Sequence, residues 1–198
     1  MVTIGVIVGS VRQGRNGIRL AKFIQTELAK REDVKAELID PLELNLPVLV
    51  NRYDTIKESP DCPAALHGLA KTLQSCDGFL IVSPEYNYSV PPAISNTLDY
   101  FYGKEYYLKP VGIASYSMGS FGGVRASVAL LPMLQCLGLV PIPKTFPVPT
   151  VQNALTEEGH VSETTTFPKI RENFSGFANE LIWAAKVLKE GKAAGGPN

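Results

Sequence analysis

Apolar runs of strand length alternate along this chain with longer segments in which apolar residues recur every three or four positions. The short runs predict strands at 3–8, 34–39, 78–83, 110–116 and 139–146. The longer segments predict helices at 18–31, 64–75, 91–101, 123–137 and 169–189. Strands that alternate with helices in this way favour a parallel sheet with helices packed on both faces.

The proline positions and the right-handedness of crossovers narrow the arrangement of this sheet. Pro141 and Pro143 each lack a backbone donor, so we expect the fifth strand to lie at an edge. Pro132 predicts a kink in the helix that contains it. We predict an α/β, flavodoxin-like three-layer sandwich with a five-stranded parallel sheet in the order 2-1-3-4-5. One domain is expected over residues 1–190, followed by a flexible tail at 191–198.

Residues 40–62 fit neither pattern, because Pro41 and Pro47 interrupt their apolar positions. A connection of this length is usually functional or packed against another part of the molecule. Two interpretations remain open. The segment is either a lid or compact loop over the sheet edge, or a subunit contact near a ligand.

The composition excludes several classes of partner. The chain has 198 residues, 45% of them hydrophobic, and its 19 basic residues balance its 19 acidic ones. This balance gives no reason to expect nucleic acid or a membrane surface as a partner. The apolar start at 2–8 lacks a preceding basic region, so we interpret it as a buried strand and not as a leader. We expect a soluble cytoplasmic protein.

The cysteines and histidines argue against metal and hydrolytic chemistry. Cys62, Cys76 and Cys136 are far apart and odd in number, so we expect free thiols in a reducing compartment. With only His67 and His160 in the chain, neither a histidine-based metal site nor a Ser-His-Asp triad is expected.

The connection Gly9–Gly17, between the first strand and the first helix, is the most informative part of the chain. A helix N-terminus presents unpaired N–H groups and a partial positive charge, and therefore favours phosphate. Ser10 and Asn16 add neutral hydrogen-bonding groups, while Arg12 and Arg15 add charged donors that suit phosphate oxygens. The alternative is a turn that contains glycine and arginine without binding a ligand.

Two familiar phosphate motifs do not explain this loop. The chain lacks the Gly-x-x-x-x-Gly-Lys-Ser/Thr pattern of P-loop NTPases, and the loop lacks the Gly-x-Gly-x-x-Gly dinucleotide fingerprint. Its hydroxyl and arginine groups suit a single terminal phosphate instead, as in a mononucleotide such as FMN.

The connection 83–93, after the third strand, combines aromatic residues with prolines. Tyr86 and Tyr88 offer flat faces with hydroxyl tips, and the prolines fix the backbone, so this loop could line a planar heterocycle. A proline-stiffened turn with partly exposed tyrosines is the alternative.

The connection 115–123, after the fourth strand, contains Gly119, Gly122 and Gly123 beside Ser117. It could bond the polar edge of a ligand, or it could be a glycine-rich helix start with no ligand. In the predicted strand order, the loops after strands 1, 3 and 4 meet in one crevice at the switch point between strands 1 and 3.

Three groups of residues in these loops resemble the NADPH-dependent FMN reductase family, a flavodoxin-like group that includes quinone, azo and chromate reductases. The groups are Gly9-Ser10-x-Arg12, Pro84-Glu85-Tyr86-Asn87 with Pro91 and Asn96, and Ser117-x-Gly119-x-x-Gly122-Gly123. They occur in the family's order along the chain. One departure is Arg15-Asn16-Gly17, where members of the family often carry a serine.

The resemblance implies that the first loop holds the FMN phosphate, that the second lies along the isoalloxazine ring, and that the third borders the ring's other edge. The implied cofactor-binding residues are Ser10, Arg12, Arg15, Asn16, Gly17, Ile18, Pro84, Glu85, Tyr86, Asn87, Tyr88, Ser117, Met118, Gly119, Gly122 and Gly123. NADPH is implied as the second cofactor. A homodimer or homotetramer with sites near the subunit interface is the implied assembly.

Flavin chemistry requires no indispensable protein acid or base, so we expect no catalytic side chain. NAD(P)H would give hydride to the flavin, and a small acceptor such as a quinone, free flavin, azo compound or metal oxyanion would then take the electrons in ping-pong turnover. Backbone N–H groups near Glu85 would stabilise charge on the reduced ring, and the Glu85 carboxylate would orient the loop. Two alternatives remain: a flavodoxin-type electron carrier without its own NAD(P)H turnover, and a flavin-free interaction protein that kept the fold.

Overall fold

The computed structural model describes residues 1–197 and has a five-stranded parallel sheet in the order β2-β1-β3-β4-β5. The strands are β1 (Val2–Val8), β2 (Val34–Ile39), β3 (Gly78–Pro84), β4 (Pro110–Tyr116) and β5 (Val140–Thr145). The predicted strand order is therefore confirmed. β5 lies at an edge, as its prolines predict, and its register against β4 shifts between Val111 and Ile113.

Eight helices connect and follow these strands within residues 1–197. They are α1 (Gly17–Ala29), α2 (Pro41–Leu44), α3 (Tyr53–Ile56), α4 (Ala64–Ser75), α5 (Pro92–Asp99), α6 (Val124–Cys136), α7 (Val151–Ala154) and α8 (Ile170–Ala193). The five long helices match the predicted ones to within a few residues. The three four-residue helices were not predicted, because so short a segment shows no helical period.

The last helix is longer than the sequence pattern predicts. α8 continues to Ala193, so residues 191–193 of the expected tail are helical. Asn198 lies outside the described residues. Pro132 lies inside α6, and the predicted kink there stays a prediction.

Two apolar clusters lie on opposite faces of the sheet. Alternate residues of β1, such as Val6 and Val8, pack into a cluster with α1 and α8, whereas Ile7 packs into a second cluster with α4, α5 and α6. A strand that buries both faces explains why its sequence is apolar throughout. Within the part of the chain that the structure describes, no helix combines the length and apolar character that crossing a membrane requires.

The segment 40–62 packs against α5 and the second cluster. The Asn96 side chain on α5 accepts a hydrogen bond from the Leu49 N–H (2.8 Å) and donates one to the Pro47 carbonyl (2.9 Å). The Tyr100 hydroxyl donates to the same carbonyl at 3.0 Å. The segment is therefore a covering layer over α5, while its role as a subunit contact stays a prediction.

Candidate functional site

The loops that follow β1 and β3 meet at the carboxyl edge of the sheet. Ser10 is buried directly after β1, and its Oγ lies 2.6 Å from the Tyr86 hydroxyl in the loop after β3. The guanidinium carbon of Arg12 lies 3.8 Å from the centre of the Tyr86 ring. Residues 76 positions apart in the chain are thus in contact, as the predicted strand order requires.

A cavity of about 400 Å³ opens between these loops and the loop after β4. Its lining residues are Arg12, Gln13, Gly14, Arg15 and Asn16 from the first loop, Pro84, Glu85 and Tyr86 from the second, and Tyr116, Ser117 and Met118 from the end of β4 and the third loop. All three predicted loops therefore contribute to one site.

The first loop presents backbone donors without protein partners. Among residues 1–197, the N–H groups of Val11, Gln13, Gly14 and Asn16 have no hydrogen-bond acceptor, and the Asn16 side chain does not cap α1. Unpaired amides ahead of a helix N-terminus are a binding arrangement for an anion. The exposed Arg12 side chain adds a charged donor at the same place.

Arg15 has a different environment from the one its sequence position suggests. Its guanidinium forms a bidentate ion pair with Asp40, with N–O distances of 2.6 and 2.5 Å, and it also donates to the Ser10 carbonyl at 2.7 Å. Asp40 in turn accepts the Leu42 N–H at 3.0 Å and caps α2. Arg15 therefore holds the loop in place, and Arg12 is the arginine of this loop that is free to meet an anion.

Tyr116 forms the floor between the first loop and the end of β4. A Cβ added at Gly17 would lie only 2.5 Å from the Tyr116 hydroxyl oxygen, so the close approach of helix and ring requires glycine. Burial raises the pKa of Tyr116 well above its usual value, and the neighbouring Tyr86 hydroxyl raises it further. The Gly17 N–H and the Ser10 hydroxyl lie within hydrogen-bonding reach of this phenol and oppose the rise.

The second loop makes a tight turn at its tip. Asn87 and Tyr88 both have positive φ (54° and 62°), and the Ser89 N–H donates to the Tyr86 carbonyl at 3.0 Å. Two consecutive residues with positive φ are the requirement of a type I′ turn, and this conformation is unfavourable for a tyrosine. The Glu85 and Tyr86 N–H groups face the carbonyls of Tyr116 and Ser89, whereas the Asn87 N–H has no acceptor among residues 1–197 and is left for a ligand.

The Glu85 carboxylate contacts the start of α6 rather than the cavity alone. Its Oε2 accepts the Arg125 N–H at 3.0 Å, and its Oε1 lies 3.5 Å from the Arg125 guanidinium. The same guanidinium lies over the rings of Tyr88 and Phe121, at 4.3 and 5.0 Å from their centres. Glu85 thus fixes the second loop against the start of α6, which agrees with an orienting role.

The glycines of the third loop serve packing more than binding. Gly122 and Gly123 both have positive φ, and a Cβ at Gly123 would lie 2.7 Å from the Tyr116 carbonyl oxygen. The Ser117 hydroxyl donates to the Gly119 carbonyl at 3.0 Å, inside the loop. The backbone needs these glycines to return from β4 into α6, so they do not expose backbone to the cavity.

The structure divides the predicted binding residues into two groups. Those that line the cavity are Arg12, Arg15, Asn16, Pro84, Glu85, Tyr86, Ser117 and Met118. Those that do not line it are Ser10, Gly17, Ile18, Asn87, Tyr88, Gly119, Gly122 and Gly123. Of the second group, Ser10 and Gly17 touch the lining tyrosines directly.

Sequence reasoning missed four residues of the site: Gln13, Gly14, Tyr116 and Asp40. Tyr116 is the last residue of an apolar strand, and Asp40 is the first polar residue after β2. Both therefore stand at strand carboxyl ends, which is the position that could have pointed to them.

A larger cavity of about 500 Å³ lies beside β5 and the start of α8. Three phenylalanines and two prolines contribute to its wall. It receives no residue from the loops after β1 or β3, so its size does not make it the site of phosphate chemistry.

Comparison with known proteins agrees with this geometry. The model of the NADPH-dependent FMN reductase family matches residues 2–153. The quinone reductase of Escherichia coli (strain K12) is 28% identical over 187 residues, which cover 91% of this chain and 95% of that protein. The NAD(P)H-dependent FMN reductase ntnL of Nectria sp is 29% identical, with coverage of 96% and 91%.

A solved structure shares the fold. FerB, a flavoenzyme NAD(P)H:(acceptor) oxidoreductase from Paracoccus denitrificans, superposes with a TM-score of 0.73 at 24% sequence identity, and the match covers 91% of this chain and 97% of FerB. The flavodoxin-like architecture predicted from the strand pattern is thereby confirmed.

Proposed function

This chain belongs to the family of NADPH-dependent FMN reductases, which are oxidoreductase enzymes, and on that premise we propose that it binds FMN in the cavity between the loops after β1, β3 and β4. The observation that carries the proposal is the contact between Ser10, Arg12 and Tyr86. This contact brings a cationic, amide-rich loop against an aromatic loop, and FMN needs both kinds of surface.

The first loop would hold the phosphate end of FMN. Arg12 and the partnerless N–H groups of Gln13, Gly14 and Asn16 supply the donors, and α1 adds its N-terminal field. Arg15 positions these groups through Asp40. Ser10 positions Tyr86 through its hydroxyl.

The second and third loops would hold the ring. Pro84 and Tyr86 offer apolar surface, while the Asn87 N–H would stabilise negative charge that develops on the ring. Ser117 and Met118 would border the opposite edge of the ring. The tight turn at Asn87 and Tyr88 preorganises this donor, since the backbone does not need to rearrange.

The bound flavin would supply the redox chemistry, taking hydride from NAD(P)H and giving electrons to a small acceptor in a ping-pong cycle. The names of the relatives favour a quinone or free flavin as acceptor. Azo compounds and metal oxyanions belong to the same proposed class. Flavin chemistry needs no protein acid or base, and the Glu85 carboxylate is engaged with the Arg125 N–H.

The visible spectrum of the purified protein tests the proposal. We expect flavin absorbance that remains after gel filtration, bleaching on anaerobic addition of NADPH, and recovery on addition of a quinone. A colourless protein that stays colourless with added FMN would overturn the proposal and favour the interaction protein. Bound flavin that NADPH fails to reduce would instead favour the flavodoxin-type carrier, against the family assignment.

We also propose a homodimer or homotetramer in the cytoplasm, folded as one domain that extends to the end of α8 at Ala193. The three cysteines are free thiols, which suits a reducing compartment. The exposed valines at 48 and 50 on the segment 40–62 suit a subunit contact. Multi-angle light scattering of wild-type protein and of a Val48→Asp, Val50→Asp double variant tests the assembly, since a contact there predicts a smaller species in the variant.

A further inference from the structure

A third cavity, of about 450 Å³, is also lined by the first loop. Its lining residues are Arg12, Gln13, Gly14, Arg15, Ile18, Arg19, Lys22, Leu42 and Glu157. It shares the run from Arg12 to Arg15 with the proposed FMN cavity. A ligand with one end in each cavity therefore needs to cross only this one loop.

The far wall of this cavity is fixed by hydrogen bonds between α1 and the turn that follows α7. Arg19 donates to the Gln152 and Leu155 carbonyls at 3.4 and 3.2 Å, and to Glu157 Oε1 at 3.2 Å. Lys22 Nζ donates to the Glu157 carbonyl at 3.0 Å. A lysine ammonium has three donors, so Lys22 keeps donors for a ligand after this bond is made.

The charge balance of the cavity is positive. Four of its side chains are cations, and two of these are matched by carboxylates: Arg15 by the buried Asp40, and Arg19 by Glu157. Among residues 1–197, neither Arg12 nor Lys22 forms an ion pair. Because Arg12 is assigned to the FMN phosphate, Lys22 is the cation left for a second ligand, and beside the preorganised Arg19 it suits a phosphate monoester.

We infer that this cavity binds the adenosine 2′-phosphate of NADPH, with Lys22 as the main determinant of NADPH over NADH. The inference rests on the proposed function, because it places the nicotinamide end of the same molecule in the FMN cavity. Glu157 opposes the selection, since a carboxylate in the cavity repels a phosphate and can accept hydrogen bonds from the free ribose hydroxyls of NADH.

Isothermal titration with nucleotide fragments tests this binding without turnover. The probes are adenosine 2′,5′-bisphosphate, ADP and inorganic phosphate, titrated into the FMN-loaded protein. We expect the wild type to bind the bisphosphate about tenfold more tightly than ADP, and Lys22→Gln to remove most of that difference. The matched control is Lys30→Gln, at the other end of α1 and paired with Glu27, which should keep it. Lys22 is exposed, so its variant should fold.

Steady-state kinetics give an independent readout of opposite sign for two variants. The ratio of KM for NADPH to KM for NADH should rise about fivefold in Lys22→Gln, because the lost contact serves the phosphate alone. In Glu157→Gln the ratio should fall, because a repulsive charge has been removed. Higher salt should diminish both effects.

Three results would overturn the inference: equal wild-type affinity for ADP and the bisphosphate, displacement of the bisphosphate by equimolar inorganic phosphate, or the same ratio of KM values in wild type and Lys22→Gln. Each is measured on protein that carries FMN and oxidises NADPH. A protein that fails those two preliminary checks contradicts the proposed function instead, so the two failures are distinguishable.

Discussion

The two edges of the sheet differ in whether their polar groups have hydrogen-bond partners within the protein. At the amino edge, the Asp77 carboxylate accepts the Thr3 N–H at 2.8 Å and Lys189 Nζ at 3.0 Å. Lys109 Nζ, also at this edge, donates to the Leu73 and Gln74 carbonyls at 2.8 and 3.1 Å and so caps the end of α4. At the carboxyl edge, within residues 1–197, four N–H groups of the loop after β1 and the Asn87 N–H of the loop after β3 have no protein acceptor.

This difference separates structure from function more clearly than cavity size does. Polar groups that are already paired stabilise the fold but have little left to offer a ligand. Unpaired donors on a rigid loop lower the stability of the free protein, and a bound anion offsets this loss. Variants at the carboxyl edge should therefore affect flavin binding, whereas variants at the amino edge should affect stability alone.

The largest expected effect is that of Asp40→Ala. This variant is an exception to the comparison, because Asp40 lies at the carboxyl edge and its removal should nevertheless lower stability. Removing this carboxylate leaves the largely buried Arg15 guanidinium without its ion-pair partner, so we expect the free energy of unfolding to fall by about 3–5 kcal/mol. Urea unfolding measures the change, and FMN retention should fall with it. Unchanged stability would contradict the positioning role given to Arg15.

Arg12→Ala should weaken FMN binding by about 2 kcal/mol with almost no change in stability, because Arg12 is exposed. Fluorescence titration of apoprotein with FMN gives the dissociation constant. Arg52→Ala is the matched control, since Arg52 also lies over a tyrosine ring, that of Tyr102 at 5.0 Å, but away from the cavity. Equal FMN affinity in Arg12→Ala and wild type would remove the phosphate role.

Lys109, at the amino edge, should make the stability of the protein depend on pH without affecting flavin binding. Burial lowers the pKa of Lys109 from 10.5 to about 8, so above pH 8 the unfolded chain holds more protons than the folded one. Stability should then rise by up to about 1 kcal/mol per pH unit. Burial also raises the pKa of Cys76 from 9.0 to about 11, which opposes this rise above pH 9.

The window for that measurement is therefore pH 8 to 9. Chemical unfolding of wild type should show the rise there, and Lys109→Met should show a flatter profile with FMN affinity retained. A rise of the same size in Lys109→Met would mean that another group titrates.

Glu85→Gln should have the smallest effect, because the amide keeps an oxygen for the Arg125 N–H at the start of α6. We expect a loss of about 0.5–1 kcal/mol in stability from the weaker interaction with the helix dipole. Turnover should fall less than tenfold, with an unshifted pH profile. A loss of two or more orders of magnitude, with a changed profile, would show that the carboxylate moves a proton.

Long-range contacts explain why the fold was easier to predict than the site. Apolar runs in the sequence predict strands such as β1 and β3, and the right-handed crossover rule then leaves few strand orders. Arg15 and Asp40 lie 25 positions apart in the chain and pair only because the loops that carry them meet in the fold. From the sequence alone, the arginine is therefore predicted to be a phosphate ligand.

The glycines illustrate a second limit of the sequence. Gly123 is needed for a close approach to the Tyr116 backbone, and a sequence does not distinguish that need from a need to admit a ligand. Tyr116 itself was overlooked because it completes an apolar strand. The sequence thus indicates which three loops meet, whereas the residues within them that face the cavity follow only from the fold.

The left-handed backbone at Asn87 and Tyr88 has a consequence for protein engineering. Asparagine adopts this conformation readily, whereas tyrosine does so at a cost of about 1–3 kcal/mol. A combinatorial library at position 88 screened for thermal resistance would therefore be enriched in glycine, asparagine and aspartate. The same library screened for electron transfer would show how much activity the aromatic side chain at position 88 contributes in return for its strained backbone.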